Sequence, residues 1–135
     1  MLLSVVSSLL IAASNGGTAP PATPQPCLWK RSFSSTTYGP PWSGMEGGSF
    51  TATGKRLSAG KRYVAVDPRV IKLGSKLTLS RSPLGNNLTW IAEDTGGSIN
   101  GRTIDIFTAQ GRKARDSWGN RRVTVCLKTK GRYHN

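Results

Sequence analysis

At 135 residues the chain fits one domain with one modest core, and a single domain is expected. Its 19 Lys and Arg against 6 Asp and Glu give a formal net charge of +13, which points to a polyanionic partner or surface. Two cysteines and one histidine, His134 in the terminal tail, make no zinc site, and nothing in the sequence calls for a cofactor.

Residues 1–14 form an apolar leader (Leu2, Leu3, Val5, Val6, Leu9, Leu10, Ile11), too short to span a bilayer comfortably. With small residues at Ala12 and Ser14 it reads as the core of a secretory signal. No Lys or Arg precedes Lys30, so an uncleaved anchor is the alternative. The expected location is outside the cytoplasm: periplasm, cell wall or extracellular space. Residues 15–32 are a Pro/Gly-rich spacer without hydrophobic period. It contains Cys27. With Cys126 at the far end of the folded region, an exported chain favours a Cys27–Cys126 disulfide over two buried thiols.

Six short strands are expected. Phe33 to Tyr38 is Ser/Thr/aromatic and stops at Gly39-Pro40-Pro41; a glycine-rich loop through Trp42 and Met45 leads to Thr51-Ala52-Thr53-Gly54. Arg62 to Val66 is broken by Asp67-Pro68, a short segment Val70 to Gly74 follows, and Lys76 to Ser80 alternates Leu77 and Leu79 with polar partners. Leu88 to Glu93 and Thr103 to Phe107 are β-branched and aromatic, joined by a tight Gly/Ser/Asn connection, and Arg122 to Leu127 closes the set. Between the last two, Thr108 to Trp118 reads as one short helix, with Thr108 as N-cap and Ala114 and Trp118 on one face. Trp90 and Trp118 are expected in the core, whereas Trp42 suits core or surface. Six short strands with glycine turns make an all-β barrel or sandwich.

The acids are concentrated where the charge otherwise avoids them, since Glu93, Asp94 and Asp105 all fall between Ala92 and Phe107. Asp105 alternates with Ile104 and Ile106, so it faces away from both; if they face the core, it faces a surface or cleft. Asp94 opens the turn Thr95-Gly96-Gly97. Each has a plain alternative: Asp94 as a turn former capping its own backbone, Asp105 as the solvated face of a strand.

Three segments carry a resemblance: Tyr63-Val64-Ala65-Val66-Asp67-Pro68 with Val70 to Gly74, then Ala92-Glu93-Asp94-Thr95-Gly96-Gly97-Ser98-Ile99-Asn100-Gly101, then Arg102-Thr103-Ile104-Asp105-Ile106-Phe107. In order, spacing and flanks they resemble the 3D domain, named for three aspartates and related to the catalytic barrel of the membrane-bound lytic transglycosylase A family. The resemblance runs from Phe33 to Leu127 and implies a six-stranded double-psi β-barrel at 33–127, to which the residues themselves add one short connecting helix; the basic tail at 128–135 lies outside it. It maps the three aspartates to Asp67, Asp94 and Asp105, with Asp105 as catalytic acid/base and Asp94 its close partner; for Asp67 an Asp-Pro turn is the structural alternative. Both Asp94 and Asp67 are expected to raise the pKa of Asp105 by like-charge repulsion. Thr53, Thr95, Gly96, Gly97 and Ser98 are candidates to bind substrate. The implied reaction cleaves the bond between N-acetylmuramic acid and N-acetylglucosamine in peptidoglycan without water, one tuned carboxyl sufficing because the sugar supplies its own nucleophile.

The main rival is a non-catalytic peptidoglycan-binding barrel of the expansin or rare lipoprotein A type, since fold does not fix activity. Asp94-Thr95-Gly96 also spells the aspartic-protease signature, but Glu93 stands where that motif has an apolar residue. A nucleic-acid binder is third: the basic residues are scattered and no nucleic-acid-binding motif accompanies them. The expected partners are therefore peptidoglycan strands, with anionic envelope polymers attracted by the net positive charge.

Overall fold

A computed structural model describes residues 25–41 and 48–132. The leader, most of the spacer, Trp42, Met45 and His134 lie outside these. The elements run β1 (Trp29–Tyr38), β2 (Tyr63–Ala65), β3 (Lys76–Leu79), β4 (Leu88–Asp94), β5 (Thr103–Phe107), α1 (Arg112–Trp118) and β6 (Arg121–Thr129). The six strands close into a barrel in the order β1-β5-β2-β4-β3-β6, sealed where β6 pairs with β1. Two pairings, β1 with β5 and β2 with β4, are parallel, and the rest are antiparallel.

Period-two alternation builds the interior. Along β1, Phe33, Ser35 and Thr37 are buried while Ser34, Thr36 and Tyr38 are half-buried on the other face. Ile104 and Ile106 of β5 join Val64, Leu77, Leu79, Trp90 and Val125 in one fully enclosed core. Each such aliphatic side chain contributes roughly 1.5–3 kcal/mol by leaving water. Trp118 is buried too, and its indole N–H donates to Ser35 Oγ at 3.1 Å, which docks α1 on β1. Ile71, from the Val70 to Gly74 segment, is a turn residue buried in the same core rather than part of a strand.

Two expectations change, in β1 with β6 and in the helix. β1 and β6 run on to Trp29 and Thr129 because they pair with each other along this length, and Cys27–Cys126 staples their ends at a Cα–Cα distance of 5.3 Å. The helix starts at Arg112 rather than Thr108, and its N-cap is Gly111, with no side-chain cap. Thr108 instead accepts from the Gln110 amide in the preceding turn, at 3.2 Å. The glycine-rich link between β4 and β5 does not join neighbours, since β2 lies between them.

Candidate functional site

That insertion of β2 creates the site. Ala65, its last residue, pairs with Asp105 on β5 and with Asp94 on β4. Two interstrand steps put the two aspartate backbones roughly 10 Å apart, with a methyl group between them. The pairing with β4 is irregular: Val64 opposes Ala92 but Ala65 opposes Asp94, so one extra residue bulges at Glu93. Without the bulge Asp94 would follow Ala92 into the core; with it, Asp94 turns outward beside Asp105.

Asp94 is held from three sides. Its Oδ1 accepts from the amides of Ala52 (3.0 Å) and Thr95 (2.9 Å), and its Oδ2 from the Tyr38 hydroxyl at 3.0 Å. Tyr38 is fixed by an edge-on contact with Phe107, centroids 5.6 Å apart, in a small outer cluster with Leu57 and Tyr63. Burial, reinforced by the Asp94 charge, drives the Tyr38 hydroxyl far above the ordinary phenol range, so it stays a donor.

Among the described residues Asp105 has one side-chain partner, the Thr36 hydroxyl donating to Oδ1 at 2.9 Å across the parallel β1–β5 register. Burial of the carboxyl pushes its pKa up to about 6; the Thr36 bond opposes this and the Asp94 charge adds to it. Burial therefore outweighs the like-charge repulsion that the sequence suggested as the cause, and Asp67 is not among the contributors.

Asp67 stands elsewhere. It is buried, and Oδ1 accepts from the Arg69 amide and Nε, both at 3.0 Å, while Oδ2 accepts from Arg69 Nη2 and the Gly101 amide, both at 2.8 Å. These donors hold its carboxyl well below the usual carboxylate range, the Arg69 side-chain bonds first. The chain reverses here, with the Val70 and Ile71 amides donating to the Asp67 carbonyl. Gly101 sits at φ 66°, a left-handed conformation that suits glycine, and it presents its N–H to Asp67 at the end of the Thr95 to Asn100 loop.

Asp94 and Asp105 line a cleft of about 300 Å³ together with Tyr38, Phe50, Ala65 and Ile99. Of the residues expected to bind substrate, Thr95, Gly96 and Ser98 line it, and Thr53 and Gly97 do not. Thr53 is occupied in structure: its hydroxyl donates to the Glu93 carboxylate and its amide to the Glu93 carbonyl at 3.2 Å, which moors the 51–55 turn to the bulge. A Cβ on Gly96 would come within 2.9 Å of Ile99 Cγ1, so glycine keeps that wall of the cleft in place. Thr36 and Tyr38 were not singled out as site residues, and only the register of β1 against β5 brings them in.

Fold and site together define a small closed barrel with a cleft that holds two unlike carboxyl groups. Residues 62–128 match the profile of the 3D domain, and the chain belongs to that family. It is 36% identical over 92 residues to the putative cell wall shaping protein YabE of Bacillus subtilis (strain 168), covering 68% of this chain and 21% of that protein. To the cell wall-binding protein YocH of the same organism it is 33% identical over 90 residues, covering 67% and 29%. The chain thus spans less than a third of either relative. Among solved structures it is similar to the Streptomyces papain inhibitor, with TM-score 0.52, 18% identity and coverage of 77% of this chain and 98% of that one. It is also similar to part of MltA from E. coli, with TM-score 0.48, 27% identity and coverage of 59% and 27%.

Proposed function

We propose that the chain acts on cell-wall peptidoglycan as a lytic transglycosylase in which Asp105 serves as acid and then as base. The observation that carries this reading is the Asp105 carboxyl itself, half-buried in an open cleft, held among the described residues by one neutral hydroxyl, with a pKa raised to about 6. A carboxyl so tuned is available in both protonation states near neutrality, which general acid and base work requires. Protonated Asp105 gives its proton to the glycosidic oxygen that leaves with N-acetylglucosamine, as the bond to C1 of N-acetylmuramic acid breaks. The C6 hydroxyl of the muramic residue then bonds to C1, and the Asp105 carboxylate takes that hydroxyl's proton. A 1,6-anhydro ring closes and no water is consumed. Asp94, anchored by three donors, orients the site and raises Asp105 further. Asp67 keeps the wall of the cleft in place through Gly101 and takes no part in proton transfer.

The names of YabE and YocH support the cell wall as the place of action, the disulfide suits a location outside the cytoplasm, and the net positive charge suits anionic wall polymers. One observation favours a second reading, a wall-binding module without turnover: a cleft of about 300 Å³ is at the small end for a ligand site, and YocH is named for binding.

Mass spectrometry of peptidoglycan incubated with the protein separates the two. Muropeptides lighter by one water, carrying 1,6-anhydro ends, are expected. Reducing ends in their place make the protein a hydrolase, and intact glycan with the protein still bound makes it a binding module.

A further inference from the structure

Three large apolar side chains are exposed among the described residues: Leu28, Phe50 and Leu84. Phe50 lines the carboxylate cleft, and Leu28, 63% exposed, lines a second depression of about 550 Å³ that shares no residue with the first. The start of β1, the turn after β2 and the end of β6 form its walls. Leu28, Trp29 and Val70 supply apolar surface, and Arg69, Lys72 and Lys130 supply positive charge. No carboxylate among the described residues lines it. Arg69 is committed to Asp67, while Lys72 and Lys130 have no ion-pair partner among the described residues.

The walls are held before any ligand arrives. Trp29 stacks on Phe33 with centroids 5.9 Å apart, the Leu28 amide donates to the Leu127 carbonyl at 2.7 Å, and the disulfide fixes both strands. On the far side the Gly131 amide donates to Ser75 Oγ at 2.8 Å, which fixes the end of β6 beside Lys72. A preformed groove loses little entropy on binding.

We infer that this groove binds a short acidic peptide with small apolar side chains, its carboxylates on Lys72 and Lys130 and its apolar side chains on Leu28, Trp29 and Val70. Charge and surface together select that chemistry. A bare polyphosphate would leave the apolar floor uncovered, and an acyl chain would lie half in water in a depression open to solvent. The inference deepens the cell-wall reading, because the wall presents such peptides beside its glycan. It takes the source of the peptide from that reading, and the binding chemistry stands without it.

The test is an amide-resolved NMR titration of the disulfide-bonded full chain with N-acetyl-Glu-Ala-Ala-Ala, beside a neutral control with Gln for Glu and an amidated end. The acidic peptide should shift the Leu28, Trp29 and Lys72 signals saturably, and the control should bind about tenfold more weakly or not at all. The double variant Lys72→Gln with Lys130→Gln leaves the Asp67–Arg69 pair untouched and should weaken the acidic peptide about tenfold at unchanged melting temperature. Leu28→Asp, at an exposed position, should do the same and stands in if the double variant unfolds. Equal binding of the neutral peptide, or shifts confined to the carboxylate cleft, overturns the proposal. So does a short polyphosphate that matches the peptide at the same amides, or no saturable binding at millimolar peptide. Asp105→Asn should bind the peptide like the parent chain, so loss of turnover and loss of peptide binding are read separately.

Discussion

Asp67, in the turn that leaves β2, has four donors on its two carboxylate oxygens, two of them from the Arg69 guanidinium. Asp105, on neighbouring β5, has among the described residues one neutral hydroxyl and the Asp94 charge close by. The same side chain is therefore held below its usual pKa range in one place and raised to about 6 in the other. The difference separates a carboxylate saturated by donors from one that is left under-served: the first has its lone pairs taken up, and the second is destabilised as an anion, which is what the proposed acid/base role asks for.

The largest effect should come from removing the Asp105 proton. Asp105→Asn keeps size and the bond from Thr36, and turnover on peptidoglycan should fall by about 10²–10⁴-fold with wall binding retained, read from released muropeptides. For the parent chain, turnover limited by the protonated form should decline as pH rises through about 6.

Next in size is the staple at the barrel seam. The cysteines are 99 residues apart, and removing the link by Cys27→Ala with Cys126→Ala should cost roughly 4–5 kcal/mol in the chain-entropy model, measured by urea unfolding. Loss of less than about 1 kcal/mol would mean that the β1–β6 ladder alone holds the seam.

Stability against pH sharpens the contrast between the two aspartates directly. Asp105 has a folded pKa above its unfolded value of 3.8, so its contribution is fully present below that value and is lost as pH rises through about 6. Two units amount to at most about 3 kcal/mol, so Asp105→Asn should be the more stable protein at pH 7 while being the inactive one. Asp67 has the opposite sign: its contribution is present above the unfolded value of 3.8 and is lost as pH falls through the depressed folded value. Asp67→Asn should lower the melting temperature at pH 7, and its gap from the parent chain should begin to narrow as pH falls below about 4. Melting curves between pH 3 and pH 8 that are identical for the two variants would remove the distinction.

The smallest effect is expected at Tyr38→Phe. It takes one hydrogen bond from Asp94 and leaves the ring contact with Phe107, so turnover should drop about tenfold with stability changed by roughly 1 kcal/mol. A full loss of activity would instead give Tyr38 a part in the chemistry.

The six strands, the outward face of Asp105 and the disulfide were legible in the sequence because they depend on local periodicity, turn residues and the two cysteines at the domain's ends. Ile104-Asp105-Ile106 needs only the two-residue period of a strand to separate core from cleft. The pairing of elements far apart in the chain was not legible. Thr36 meets Asp105 through the parallel β1–β5 register, and the same register sets Tyr38 against Phe107, from where its hydroxyl reaches Asp94. Asp94 faces the cleft because a bulge at Glu93 shifts it by one residue, and Thr53 is spent in holding that bulge. The Arg69 partner of Asp67 was close at hand in sequence, but the Gly101 contact that completes its saturation spans 34 residues. Local sequence thus determined which residues form strands and which face each presents, since those follow from short-range sterics and burial. Only the closed barrel decided which aspartate is satisfied and which is left under-served with a raised pKa, since that depends on the donors and the burial that distant strands bring to each carboxyl.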